Sequence, residues 1–306
     1  IYKPTSWLPD NPAWDGVARS SKNFIEFKFG KKVLIEGNVL ANSWNGGQDT
    51  WMNLNSTDQN GDCPWCVSSD IHVKNLIVKG VSAGFGIIAA QSYAGLAPGP
   101  LARVLLENLL VWPSGYTDYI SAGSDGQILV SGYIINGTGD GGGIDSLQVK
   151  HVTTLGQGTG TGNGWVVSGG TPYDFTNLVV QDNLVELANY RWVNACVSGV
   201  DGTACLTSTV SGSYTISNNG AINTGEGNGD QGVSDATLTT RYGSLILTCC
   251  TNTWAATDFV DIDAIDTNYH NYALGAGSAY YHLAGDGESP GVIFSVLDAA
   301  LNHETT

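Results

Sequence analysis

A ten-residue phrase recurs down this chain. Its copies read VLIEGNVLAN (33–42), IHVKNLIVKG (71–80), VLLENLLVWP (104–113), ILVSGYIING (128–137), LQVKHVTTLG (147–156), LVVQDNLVEL (178–187) and, with a looser fit, YTISNNGAIN (214–223). Positions one and three are apolar in every copy, from Val33 and Ile35 to Tyr214 and Ile216. A period of two is a strand with one buried face. Position five is small or polar throughout, as Gly37, Asn75, Asn108, Gly132, His151, Asp182 and Asn218. Such residues suit a corner that needs positive φ or a side chain bonded to local backbone. Positions seven and eight return to apolar residues in most copies, so each phrase reads strand, corner, strand. Repeats of this kind stack on one another, and the chain is expected to be a solenoid.

Copy starts lie 19 to 38 residues apart, whereas ankyrin-like and tetratricopeptide-like repeats hold a fixed period and carry helical spacing. The expected fold is therefore all-β, a parallel β-helix with one conserved corner per coil and other turns of variable length. Stacking at about 4.8 Å puts position four of one copy above position four of the next. Glu36, Lys74 and Glu107 alternate in sign there; they read either as a ladder that reinforces register or as ordinary surface charge. Leu34, Leu105 and Leu129 at position two point outward, which calls for a loop, a neighbouring subunit or a ligand over that face.

Nothing between the copies has the composition of a flexible linker, so residues 1–306 read as a single domain. Residues 1–32 are a loop-rich lead-in, 33–223 the repeated coils and 224–306 the C-terminal coils and cap. The net charge of −16, with only 12 Lys plus Arg, argues against nucleic acid, anionic membrane surfaces and polyanionic substrates, each of which needs a basic patch. No apolar run reaches the ~18–20 residues of a membrane span, so membrane insertion is not expected. With 41 Gly, one Met and 13% charged residues, the composition is that of a secreted, β-rich protein in the extracellular space or at the cell surface.

Six cysteines fall into close pairs: Cys63 with Cys66, Cys196 with Cys205, and Cys249 beside Cys250. Local pairs of this kind read as short-loop disulfides in an oxidising compartment. Other readings of these pairs are a redox C-x-x-C in DCPWC, a zinc site from the four outer cysteines, and two unbonded cysteines on opposite strand faces at 249–250.

The stretch from Lys3 to Trp112 and the ending from Phe259 to Leu297, about half the chain, resemble secreted bacterial right-handed parallel β-helix proteins of the pectin-lyase-like superfamily. KPTSW, VLIEGNV, NSWNGGQD, QNGDCPWCVSSDIHVKN and YALGAGSAYYHLAGDGESPGV carry the resemblance. It implies a right-handed β-helix, and it implies fold more firmly than function, because that superfamily mixes lyases, hydrolases, epimerases, adhesins and phage tailspikes. Since the likeness begins part-way into a coil, a preceding coil or cap is expected upstream of Ile1.

Lyases on such a scaffold pair a calcium held by acids with an Arg or Lys base. Arg103 and Lys150 lie nearest the repeated strands, with Asp140 and Asp145 in and beside GTGDGGGID as the accompanying acids and Asp118 and Asp125 further off. The alternative for that segment is a tight turn whose aspartates bond their own backbone. Asp258, Asp261, Asp263 and Asp266 form a second acidic run, readable as a calcium-binding strand or as the acidic outer face of a terminal coil. No cofactor is required; calcium is the cation these acids would take. The paired Asp-Asp and Gly-His-Gly of polygalacturonases are absent, and the five histidines are scattered, which suits solvated or capping roles.

Trp44, Trp51 and Trp65 sit in loop-like sequence, where they would stack on sugar rings or cover an open flank. Asn55 and Asn136 begin N-x-[ST] sequons, which place both at the surface if the source glycosylates. Two function classes follow. One is a non-catalytic extracellular protein, structural or adhesive, that binds glycan or joins copies of itself through its solenoid ends into a filament. The other is a polysaccharide lyase or glycoside hydrolase working in a groove along the parallel sheet.

Overall fold

The structure is a computed structural model that describes residues 1–7, 12–17, 19, 22–43, 50–58, 60–81, 83–92, 98–113, 129–135, 143–154, 166–168, 175–186, 202–222, 234–247 and 268–302. Its strands form two parallel sheets, and the chain passes back and forth between them. β1 (Ile25–Phe27) belongs to the opposite sheet, β2 (Lys31–Glu36) and β3 (Val39–Ser43) to the corner sheet, and β4 (Thr50–Asp58) to the opposite sheet again. The alternation continues through β5 (Ser69–Val81), β6 (Ala83–Ser92), β7 (Leu101–Pro113), β8 (Leu129–Ile135), β9 (Ile144–Thr154) and β10 (Val166–Ser168). Later strands of the corner sheet are β11 (Phe175–Thr176), β12 (Leu178–Gln181), β13 (Leu184–Glu186), β14 (Tyr214–Ser217), β15 (Asn219–Ile222) and β16 (Ile246–Leu247). Helices are short: α1 (Gly202–Thr209), α2 (Asp235–Tyr242) and α3 (Phe294–Asn302).

The repeated phrases stack in register. Val33 lies beside Ile71, Ile71 beside Val104, and Val104 beside Leu147. Positions one and three face a core shared with Trp51, Met52, Leu54, Phe85 and Ile87 of the opposite sheet. Burial on this scale is what stabilises a stack whose single layers could not fold alone; removing one such Leu or Ile costs about 2–5 kcal/mol. At position six, where Leu76, Leu109 and Val152 are apolar, Asn183 and Asn219 of the last two phrases bring polar groups into the interior. The Asn183 amide donates to Asn219 Oδ1 at 2.8 Å and to the Val149 carbonyl at 3.0 Å, so both side chains are satisfied from layer to layer.

Position five is the corner the sequence implies. Gly37, Asn75, Asn108, His151, Asp182 and Asn218 all have φ between 52° and 69°. A second left-handed row, with φ of 52° to 58°, runs one residue before five of the phrases: Lys32, Asp70, Arg103, Ser146 and Asn177. The first arm of the phrases beginning at Val33, Ile71, Val104, Leu147 and Leu178 thus lies between two αL residues in vertical register. The copy at 128–137 departs from the expectation. Its strand β8 pairs with β6 and β10 in the opposite sheet, so it is not a layer of the corner sheet. Apolar alternation is shared by both sheets, and only the pairing partner distinguishes them.

The C-terminal segment from Tyr269 to α3 lies as a strap along the outside of the corner row. Ile293 N donates to Asn108 Oδ1 at 2.7 Å, Val292 N to Thr153 Oγ1 at 3.0 Å, and Gly291 N to the Asp182 carbonyl at 2.7 Å. Tyr280 reaches the Ala221 carbonyl at 2.7 Å. Under the strap, Ile77, Leu110 and Leu184 of position seven are buried against Tyr272, Leu274, Tyr280, Val292 and Leu297. Gly291 permits the close approach. Its φ is +90°, and a Cβ there would collide with Thr153 Oγ1. At the other end of the stack, Ile1 N donates to the Val39 carbonyl at 2.8 Å and Ala41 N to the Ile1 carbonyl at 2.9 Å, so residues 1–3 add a short parallel strand to β3. No helix of the described residues is long and apolar enough to cross a membrane.

Candidate functional site

The outer face of the corner sheet carries the charges singled out by the sequence. Glu36, Lys74, Glu107 and Lys150 occupy successive positions in register. Lys74 pairs with Glu36 at 2.9 Å, while Glu107 meets the His72 ring at 3.1 Å. Lys74 beside it holds the Glu36 carboxyl below its usual value, with burial opposing. The alternating charges are therefore in register and Lys150 continues the row, but the ion pairing expected of a ladder is made at the Glu36–Lys74 step, while Glu107 turns to His72. One row earlier, Arg103 grips Asp70 with two hydrogen bonds, Nε to Oδ1 at 2.6 Å and Nη2 to Oδ2 at 2.9 Å. That guanidinium, helped by Ser69, holds Asp70 far below the carboxylate range.

Of the expected acid–base set, Asp145 and Arg103 lie in neighbouring layers, and Lys150 does not join them. Ser146, beside Asp145, lies in the register row of Arg103, whereas Lys150 stands opposite Glu107, four residues further along β9. At about 3.3 Å per residue that is roughly 13 Å of strand. Asp145 accepts from Thr176 at 2.7 Å, Ser146 at 3.0 Å and Asn177 at 3.2 Å. The Thr176 hydroxyl is the largest influence lowering its carboxyl; burial opposes it, and Ser146, Asn177 and the Arg103 charge add to it. A carboxylate held ionised in this way is a poor proton donor. Asp140, Asp118 and Asp125 lie outside the described residues, as do Asp258, Asp261, Asp263 and Asp266. Among the described residues no group of three or more His, Cys, Asp or Glu side chains could hold a metal ion.

The aromatic candidates divide. Trp51 is not a loop residue. It lies in β4, fully buried, with its ring edge-on to Phe85 at 5.8 Å. Polar neighbours in WMNLNSTD disguise a core strand, because Asn55 and Thr57 satisfy one another within it at 2.7 Å. For the same reason Asn55 is buried and cannot be the surface sequon its motif implies, and Asn136 lies outside the described residues. Trp65 is 72% exposed, on the turn closed by the Cys63–Cys66 disulfide. Burial raises the neighbouring Asp58, but backbone N–H groups of Cys63, Asp62, Asn60 and Gly61 outweigh it and keep the carboxyl low, which ties the turn down. Trp44, Cys196, Cys249 and Cys250 are outside the described residues, and Cys205 falls in α1.

His151 corrects the expectation of a solvated or capping role. It is buried, with Nδ1 3.0 Å from the Gly291 carbonyl and Nε2 3.1 Å from Asp286 Oδ2. Both ring nitrogens face oxygen atoms of the strap, and the two contacts pin it to the corner row. Beside this clamp the strap forms a half-open cavity of about 260 Å³, whose walls include Tyr281, His282, Glu288, Ser289, Phe294 and Ser295. In the sequence these residues carried only the family resemblance, within the ending from Phe259 to Leu297, and were not read as a site; the Tyr280-Tyr281-His282 run is the signal that could have pointed to one. Nearby, Tyr269 donates to Asp298 at 2.5 Å, and burial together with that bond pushes its phenol up to about 12.

Comparison with protein-family models, curated proteins and solved structures found no match for this chain. Fold and site together define an all-β protein of stacked parallel strands with a strapped corner row, and that is the class at which identification rests.

Proposed function

We propose that the chain is a right-handed parallel β-helix of the pectin-lyase-like kind that works outside the cell as a non-catalytic structural or adhesive component, joining copies of itself through the ends of the stack. The observation that carries this reading is the pairing of outward charges between layers: Glu36 with Lys74, and Asp70 with Arg103. Groups placed to hold successive layers in register serve stiffness rather than turnover. At β3 the outer edge of the corner sheet takes up a parallel segment, where Tyr2 bridges Ala41, and end-to-end growth would use the same bonding at the part of the edge left open. Next to it, β2 has no further strand beyond it among the described residues, and Phe29 and Leu34 are exposed. The Cys63–Cys66 disulfide is compatible with an oxidising compartment.

One observation favours the enzymatic alternative. Arg103 stands in the layer between Asp70 and Asp145 and feels the charge of both, an acid–base–acid row on the outer face of a parallel sheet. A single experiment separates the readings. The chain is incubated with neutral and uronic-acid polysaccharides, with and without calcium, while reducing ends and unsaturated products are followed, and sedimentation velocity is run across a range of protein concentrations. Growth of the sedimenting species with no cleavage supports the scaffold. Cleavage lost in Arg103→Gln establishes a lyase or hydrolase instead.

A further inference from the structure

We propose that the cavity beneath the strap is a binding site for one neutral, hydroxyl-rich ring, a sugar unit of a glycan; the inference deepens the adhesive reading and rests on it. Size comes first. At about 260 Å³ the cavity falls just below the roughly 300–1,000 Å³ of pockets for drug-sized ligands, which suits a single ring. Its walls offer the two things such a ring needs. Tyr281, 39% exposed, and Phe294 provide apolar aromatic surface for the C–H face.

The polar lining is rich in acceptors. His282 Nδ1 lies 2.9 Å from the Gly287 carbonyl, which only accepts, so Nδ1 carries a hydrogen and Nε2 is the ring atom left for a ligand. The Glu288 carboxylate has no ion-pair or hydrogen-bond partner among the described residues, and the Ser289 and Ser295 hydroxyls complete the rim. Hydroxyl donors match this set. Among the described residues no Lys or Arg lines the cavity, so a uronic acid would meet Glu288 with no cation beside it.

The site is also preorganised, which lowers the cost of binding. His282 is held at φ +57° by the bond from its own N–H to Ser289 Oγ at 3.1 Å and by its ring bond to Gly287. Its ring stands edge-on to Tyr281 at 4.1 Å between centroids. The Ala284 N–H to Glu288 carbonyl bond, 2.9 Å, closes the turn that carries Glu288, and Asp182 fixes that turn through Gly285 N at 2.7 Å.

The test is calorimetric titration of the intact chain with mannohexaose, cellohexaose and chitohexaose, and with a galacturonate hexamer and choline as charged probes. At least one neutral oligosaccharide is expected to bind with Kd below about 1 mM. Tyr281→Ala and Glu288→Gln, both exposed, should each weaken it about tenfold with an unchanged circular dichroism spectrum, and Trp65→Ala should leave it unchanged. Binding lost in Trp65→Ala but kept in Tyr281→Ala overturns the cavity while glycan adhesion stands. Preference for galacturonate or choline overturns the neutral class. Silence from every probe overturns the inference, and the scaffold reading is then judged separately by self-association.

Discussion

Two rows of left-handed residues run the length of the corner sheet, alike in backbone and different in fate. In the row before each phrase, Lys32, Asp70, Arg103 and Asn177 are exposed. In the position-five row, Gly37, Asn75, Asn108, His151 and Asp182 are buried, and from Asn108 to Asp182 the C-terminal strap bonds directly to them. The stack imposes the same φ on both rows. What differs is the cover, and cover decides whether a side chain at such a corner contributes charge pairing in water or hydrogen bonds in a dry interface.

The comparison is broken most severely at the covered row. Gly291→Ala adds a Cβ against Thr153 Oγ1 at a φ of +90°, and about 4 kcal/mol of strap docking is expected to be lost. Hydrogen exchange should show Tyr272 to Leu297 losing protection while β5 and β7 keep theirs. Asn108→Ala comes next. It removes both bonds to Ile293, the bond to Asn75 at 2.8 Å, and a residue tolerant of φ +54°, so chemical denaturation should report a loss of about 3 kcal/mol.

The exposed row should respond to pH rather than to truncation. Asp70 has a folded value below its unfolded one, so its contribution is present above the ordinary carboxylate value of about 4 and fades as pH falls through the folded value. Arg103→Gln removes that contribution. Its melting temperature should sit slightly below that of the parent at neutral pH and merge with it in strong acid; a constant offset at all pH values would contradict the pairing. The smallest effect is expected at Lys32, an exposed non-glycine residue at φ +57°. Lys32→Gly relieves the Cβ contact at the cost of chain entropy, a net gain of at most about 1 kcal/mol by thermal melting.

The sequence alone determined the inward positions and one of the two corner rows. Period-two apolar residues can bury only one face, and Gly, Asn and Asp at position five announce αL backbone in their own side chains. The same logic made Glu36, Lys74 and Glu107 readable as a ladder. The row before the phrases was not legible, because only Asp70 and Asn177 carry that signature while Lys32, Arg103 and Ser146 do not, so no pattern repeats from copy to copy. Nor was the place of residues 128–137, since alternation says that a strand is half-buried and not which sheet will accept it. Trp51 and Asn55 misled for a related reason: polar residues within β4 satisfy one another only once the strand is in place. Above all, the strap was decided by tertiary structure. His151 meets Asp286 across 135 residues and Asn108 meets Ile293 across 185. Contacts so distant in sequence leave no local pattern, because each partner is ordinary until the stack brings them together.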